Sequence, residues 1–190
     1  MDVLESKYVI LSIIGEHAGE SEIDVFLRKR KEIHEAGKSF WLIKSNKAKT
    51  ENIQEISKKA EKEGEKVYVL FIHASTKGGA RPTKKEDIAH HYSSDNNNWS
   101  IIENGIKVTG KIDRSSTALV LKNLEVFNKE DVIIDLWNYS DFFDSLNRIK
   151  TGLGSSTVCA VKKYCEGMKS RHRKVVAFGE LMEPYAVWLK

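Results

Sequence analysis

Cysteine is nearly absent. The two present, Cys159 and Cys165, sit in a stretch whose pattern predicts one helix. Six residues apart on a helix, they point to different sides and lie too far apart for an unstrained disulfide. A disulfide-stapled scaffold is thereby excluded, and the paired spacing of a zinc ribbon is missing. A reducing, cytoplasmic setting is the expectation. Cys159 stands among Val, Ala and Tyr and reads as packing. No apolar run approaches the roughly 20 residues that a membrane helix needs, so no membrane partner is expected. Residues Met1–Leu11 place acids before a short apolar run, unlike the basic start and longer apolar stretch of a secretory leader.

Several catalytic signatures are missing as well. There is no G-x-x-x-x-G-K-[ST] and no G-x-S-x-G elbow, which removes the usual marks of a P-loop NTPase and an α/β-hydrolase. Acids on strands occur at Asp135 and Glu180, but without the following E-x-K that a metal-dependent nuclease would want. His90 and His91 are adjacent, with His73 upstream and Asp87 and Asp95 nearby. Adjacent histidines point to opposite faces of a strand, or about 100° apart on a helix. Neither geometry matches the i, i+4 pair of a helical zinc site, so no metal and no other cofactor is expected.

What is present is an ordinary globular composition. Of 190 residues, 41% are hydrophobic and 31% charged, which suits one domain spanning residues 1–190 with a core that needs no staples. The formal net charge is +4. Cations cluster at Arg28–Lys31, Lys44–Lys49, Lys77–Lys85 and Lys169–Lys174. Each cluster alone reads as a solvated face; four together point to a composite basic surface for a polyanion.

The chain is organised around Lys66–Pro82, KVYVLFIHASTKGGARP. Val67–Ile72 is β-branched and aromatic with no helical stripe, so it reads as a strand buried on both faces. It opens into a polar loop with paired glycines, Lys77 and Arg81, a common way to build an anion site. Before it, Tyr8–Gly15 and Ser39–Ser45 read as strands. Ser21 caps a helix to about Ala36, with Ile23, Phe26, Leu27 and Ile33 inward and Gly37 as its stop. Thr50 caps a second helix with Ile53, Ile56 and Ala60 inward and Gly64 ending it.

After the organising loop, residues 83–92 predict a short helix carrying Ile88, Ala89 and Tyr92. Ser93–Asn98 is a loop by composition, and Trp99 at its exit is placed to cap a core or line a pocket. Asn104–Gly105 signals a hairpin turn, and Lys107–Ile112, Thr117–Phe127 and Val132–Trp137 complete a β-meander. The last third predicts a helix capped by Ser140, a glycine-serine turn at Thr151–Ser156 and a helix from Thr157. A basic loop at Ser170–Lys174 follows, then closing strands Val175–Glu180 and Tyr185–Leu189 around Pro184. Gly152-x-Gly154 precedes the helix from Thr157, so Gly154–Thr157 offers at most a weak helix-entry anion site.

Nucleic-acid binding gathers the most support. It needs cations for phosphates and flat aromatic faces for bases. Lys44, Lys47, Lys49, Lys77 and Arg81 follow the ends of two strands, whose loops share one end of the sheet if those strands are parallel neighbours. Trp99 is the stacking candidate, whereas Trp41, inside SFWLIKS, reads as core.

Trp41-Leu42-Ile43-Lys44-Ser45, Val69-Leu70-Phe71 and Gly79-Ala80, with a polar stretch reaching Trp99, resemble the PUA-like superfamily, more narrowly its EVE and YTH branches, over residues 39–127. The resemblance implies a small twisted β-barrel flanked by helices, with a pocket for a flipped, often modified, base. It places Lys44, Ser45 and Asn46 beside that pocket and Trp99 as one wall.

The expectation is therefore an α+β protein, a PUA-like twisted β-barrel with flanking helices; a three-layer α/β sheet is the alternative fold. Residues 39–127 form the core and 140–190 supply C-terminal helices and closing strands. The expected function is a DNA- or RNA-binding module with Lys44, Ser45, Asn46, Lys77, Gly78, Arg81 and Trp99 at the site. Two alternatives stand beside it. One is a nucleotide- or nucleic-acid-processing enzyme using the His73–Arg81 loop, with His73, His90 or His91 as acid–base. The other is a protein-interaction domain.

Overall fold

The computed structural model describes residues 3–14, 20–74, 86–114, 116–127, 132–144, 149, 157–163 and 171–190. Its strands are β1 Tyr8–Ile14, β2 Ser39–Ile43, β3 Tyr68–His73, β4 Glu86–Ser93, β5 Ser100–Thr109, β6 Thr117–Leu121, β7 Glu125–Val126, β8 Ile133–Asp135, β9 Tyr139–Asp141, β10 Thr157–Lys162 and β11 His172–Leu189. Helices α1, Glu22–Ala36, and α2, Thr50–Lys62, join β1 to β2 and β2 to β3. The protein is α+β: a mixed sheet in the order β2-β6-β11-β3-β1-β10-β9, with β4, β7 and β8 also on β11 and β5 on β4. Among the described residues the sheet stays open.

The 18-residue strand β11 holds the fold together. Along one edge it receives β6, β7 and β8 in succession, each antiparallel to it. Its other edge takes β3 at Val175–Glu180 and β4 at Trp188–Leu189. Its side chains alternate between buried and part-exposed from Val175 to Leu181, as a strand between two layers requires. The ladder to β6 shifts between Leu181 and Ala186, around a cis Glu183–Pro184 peptide and Tyr185 with φ 66°. The first half of β11 thus belongs with β3, β1, β10 and β9, and the second half with β2, β6, β4 and β5.

Two of the three cores lie on opposite faces of the β1–β3 half. One gathers Ile10, Phe71, Ile53 and Ile56 under α2, and the other Val9, Leu70, Tyr139 and Val175. The third lies between β2–β6–β11 and the β4–β5 hairpin, with Phe40, Ile106, Val120 and Leu189. Trp41 belongs to the first: its ring is 4.4 Å from that of Phe71 and 5.8 Å from that of Phe26. Such pairs add about 1 kcal/mol each beyond burial.

The locally signalled elements form as expected. Ser21 Oγ accepts the Asp24 amide at 3.2 Å, and Gly37 ends α1 at φ 72° with its N–H on the Ile33 carbonyl. α2 buries Ile53, Ile56 and Ala60, but Lys49 stands at its N-cap and the expected cap, Thr50, is its first helical residue. β1 and β3 are parallel neighbours. The buried stripe of α1 differs, however: Val25, Phe26 and Lys29 face inward, while Ile23 and Leu27 are more than half exposed.

Four expected elements are corrected, all through long-range pairing. Residues 86–93 form a strand instead of a short helix, held by β5 and by the C-terminal end of β11. Thr157 opens β10, not a helix; four consecutive buried residues fit either element by pattern, and pairing with β1 and β9 decides. Ser140 lies in β9, and residues 172–174 belong to β11 and pair with β8. The described part of 140–190 therefore consists of strands and short connections, without the expected helices. Nor is the middle third a meander: β6, β7 and β8 pair with β11 instead of with one another.

Candidate functional site

One row of paired residues crosses the second half-sheet. Ile43 lies opposite Thr117, Thr117 opposite Trp188, and Trp188 opposite Ser93. The chain then turns through 94–98 and re-enters as Trp99, just before the Tyr92–Ser100 pair. Cross-strand partners share a face, so Trp188 and Trp99 flank Ser93 on the same side, about 10 Å apart across two strand spacings. Ser93 is 1% exposed between them, and Trp99 is 37% exposed. On the same face, Ile101 lies opposite His91 and is 74% exposed. Lys190 Nζ lies 5.7 Å from the Trp99 ring centre.

The loop that delivers Trp99 is built on Asp95. Its carboxylate accepts from the amides of Asn97 and Asn98, each at 2.8 Å, and from Ser93 Oγ and Asn98 Nδ2. The two amides hold this carboxyl well below the usual carboxylate range. On its other side the loop is tied down by Gln54 of α2, whose Nε2 donates to the Ser94 and Ala186 carbonyls.

His90 and His91 do not alternate as the sequence pattern suggests. Both amides donate to the Lys190 carbonyl at 2.9 Å, which makes a β-bulge, and both rings stay out of the core. The facing strand accommodates this with Asn104 and Gly105, both at positive φ. The pair expected to make a hairpin turn is instead a kink inside β5. A Cβ on Gly105 would lie 2.5 Å from Ile88 Cγ2, so glycine is required there by both conformation and space.

Of the expected site residues, Trp99 stands on this face. Lys44, Ser45 and Asn46 follow Ile43 directly and leave the sheet at the end opposite the 94–98 turn, four strand spacings or about 19 Å away across the sheet. Lys44 pairs with Asp113 at 2.6 Å, and Ser45 Oγ donates to the Thr157 carbonyl at 2.6 Å. These residues do not converge with Trp99 on one pocket. β2 and β3 are not neighbours and run in opposite senses along the ladders, so their loops do not share an end through the sheet order. Lys77, Gly78 and Arg81 lie outside the described residues, as do Cys165 and the glycine-serine turn.

The basic stretch of α1 is solvated only in part: Arg30 and Lys31 are exposed, whereas Arg28 and Lys29 are held against the fold. Arg28 grips Glu20 through Nε at 3.2 Å and Nη2 at 2.9 Å, and donates to the Lys107 carbonyl at 2.9 Å. Lys29 is 3% exposed, with its Nζ 2.8 Å from Glu32 and 3.0 Å from the same Lys107 carbonyl. Glu32 also accepts from Ser39 Oγ. Burial pulls the Lys29 amine down to about 8, against the opposing pull of Glu32. This lattice clamps α1 to the outer edge of β5. At the far end of β3, His73 Nδ1 lies 2.9 Å from Glu22.

The face escaped sequence reasoning in part. Trp188 and Lys190 have the same parity on β11, a usable signal, but their nearness to Trp99 depends on a register set by residues almost a hundred positions apart. No protein-family model matches the chain, and no curated protein and no solved structure shows significant similarity to it. Among the described residues no three metal-ligating side chains converge, and no helix is long and apolar enough to cross a membrane.

Proposed function

We propose that this protein is a nucleic-acid-binding module that stacks bases on the face carrying Trp99 and Trp188. The observation that carries the reading is the placement of two tryptophans on one sheet face, either side of a buried serine. Base–aromatic stacking contributes about 1–3 kcal/mol per base and needs ring faces that are not already stacked. Neither ring stacks on another aromatic ring among the described residues. Lys190 lies over the Trp99 ring and supplies a donor for phosphate, with His91 farther along, opposite Ile101. The EVE- and YTH-like resemblance, with its barrel and modified-base pocket, belongs to the same proposal, with Lys44–Asn46 as an outlying phosphate contact.

Fluorescence-anisotropy titration with short single- and double-stranded DNA and RNA, with and without modified bases, tests this at two salt concentrations. Micromolar or tighter binding that weakens with salt is expected, with single strands preferred because their base faces are open. No binding to any oligonucleotide at low salt would overturn it.

A further inference from the structure

We propose that the free edge of β5 pairs with the same edge of a second copy of this chain, antiparallel about Ile101. Lys190 and His91 exchange both backbone hydrogen bonds, so the polar groups of His91 point toward β11. The opposing Ile101 is then a non-hydrogen-bonded partner in the β4–β5 ladder, and its own N–H and C=O point out of the sheet. β5 pairs only with β4 among the described strands. Farther along the same edge, the Lys107 carbonyl is covered by Arg28 and Lys29. The kink at Asn104–Gly105 separates that blocked part from the open part at residues 99–103. An uncovered edge with an exposed apolar residue is a template for pairing.

Charge identifies the occupant as a second copy. Pairing about Ile101 places Ile101 opposite its own counterpart and Trp99 opposite the counterpart of Glu103. Lys190 lies over Trp99, so each copy's Lys190 meets the other's Glu103. Both side chains are exposed, and neither has an ion-pair partner among the described residues. Ile101, at 74% the most exposed large apolar side chain described, is covered by the same contact. The two-fold axis stands perpendicular to the sheet, so both tryptophan faces point the same way and form one continuous surface. The proposal does not depend on nucleic-acid binding.

Sedimentation equilibrium of the full chain, with no oligonucleotide present, tests it. The weight-average mass should climb from 21.6 kDa toward twice that value as concentration rises, over roughly 10–500 µM for so small an interface. Ile101→Pro removes the outward N–H at a position where an edge strand accepts proline; it should hold the protein at monomer mass with an unchanged circular dichroism spectrum. Glu103→Lys should weaken association about tenfold or more, and adding Lys190→Glu should restore it. Should Ile101→Pro disturb the fold, the charge swap decides alone. A constant monomer mass at 500 µM, or association that ignores the Glu103 and Lys190 swaps, would overturn the proposal.

Discussion

Lys190 Nζ lies 5.7 Å from the centre of the Trp99 ring, although the two residues are brought together only by the meeting of β11, β4 and β5. A cation over an indole is attracted by the negative face of the ring and helps hold the side chain in place. Trp99→Ala should weaken oligonucleotide binding about tenfold or more, with thermal stability nearly unchanged because the ring is part-exposed. Lys190→Met should mainly flatten the salt dependence. Anisotropy titrations at two salt concentrations read both effects.

A second prediction concerns Lys29. Its amine titrates near 8 in the fold against 10.5 ordinarily. Between those values the unfolded chain binds more protons than the folded one, so this group makes stability rise with pH over that window. Lys7, Lys66 and Lys107 are shifted upward by their carboxylate partners and act in the opposite sense at still higher pH. The comparison with Lys29→Met isolates the effect. Urea midpoints at pH 7.5, 9 and 10 should show the wild type gaining relative to the variant as pH rises. A constant difference would mean that Lys29 titrates normally.

Gly105 tests the kink in β5. Gly105→Ala must hold φ near +67° and push Ile88 away, costing about 1–3 kcal/mol. Adding Ile88→Ala should recover only the steric part, leaving the conformational cost. Thermal denaturation of the two variants against Ile88→Ala alone separates them.

The loop before Trp99 gives a local readout. Asp95→Ala removes the acceptor for the Asn97 and Asn98 amides. Hydrogen exchange at those two amides should accelerate markedly while exchange in β1 and β3 stays as it was. Unchanged protection would mean that Gln54 alone holds the loop.

Some elements of this chain are specified by neighbours in sequence and others only by neighbours in space. Continuous apolar runs such as Tyr8–Ile14 and helices with their own caps, Ser21 to Gly37, carry their signals within a few residues and were legible. Thr157–Lys162 was not: it is a strand because β1 lies beside it, with Ile10 opposite Cys159. Glu86–Ser93 likewise depends on Leu189, and the Asn104–Gly105 signal was real but served a kink. The site divides in the same way. The position of Trp99, part-exposed at the exit of a polar loop, was legible from the residues before it. Its neighbours Trp188 and Lys190 were not, and Arg28 and Lys29 looked solvent-facing because the acids that pair with them come from elsewhere on α1 and its approach.

The most direct test of the central claim follows the indole N–H signals of the four tryptophans by NMR while a short single-stranded oligonucleotide is added. The account predicts that the Trp99 and Trp188 signals move together and saturably, while Trp41, packed on Phe71 and Phe26, stays in place. Saturable binding that leaves Trp99 and Trp188 unmoved would place the ligand elsewhere and contradict the assignment of this face.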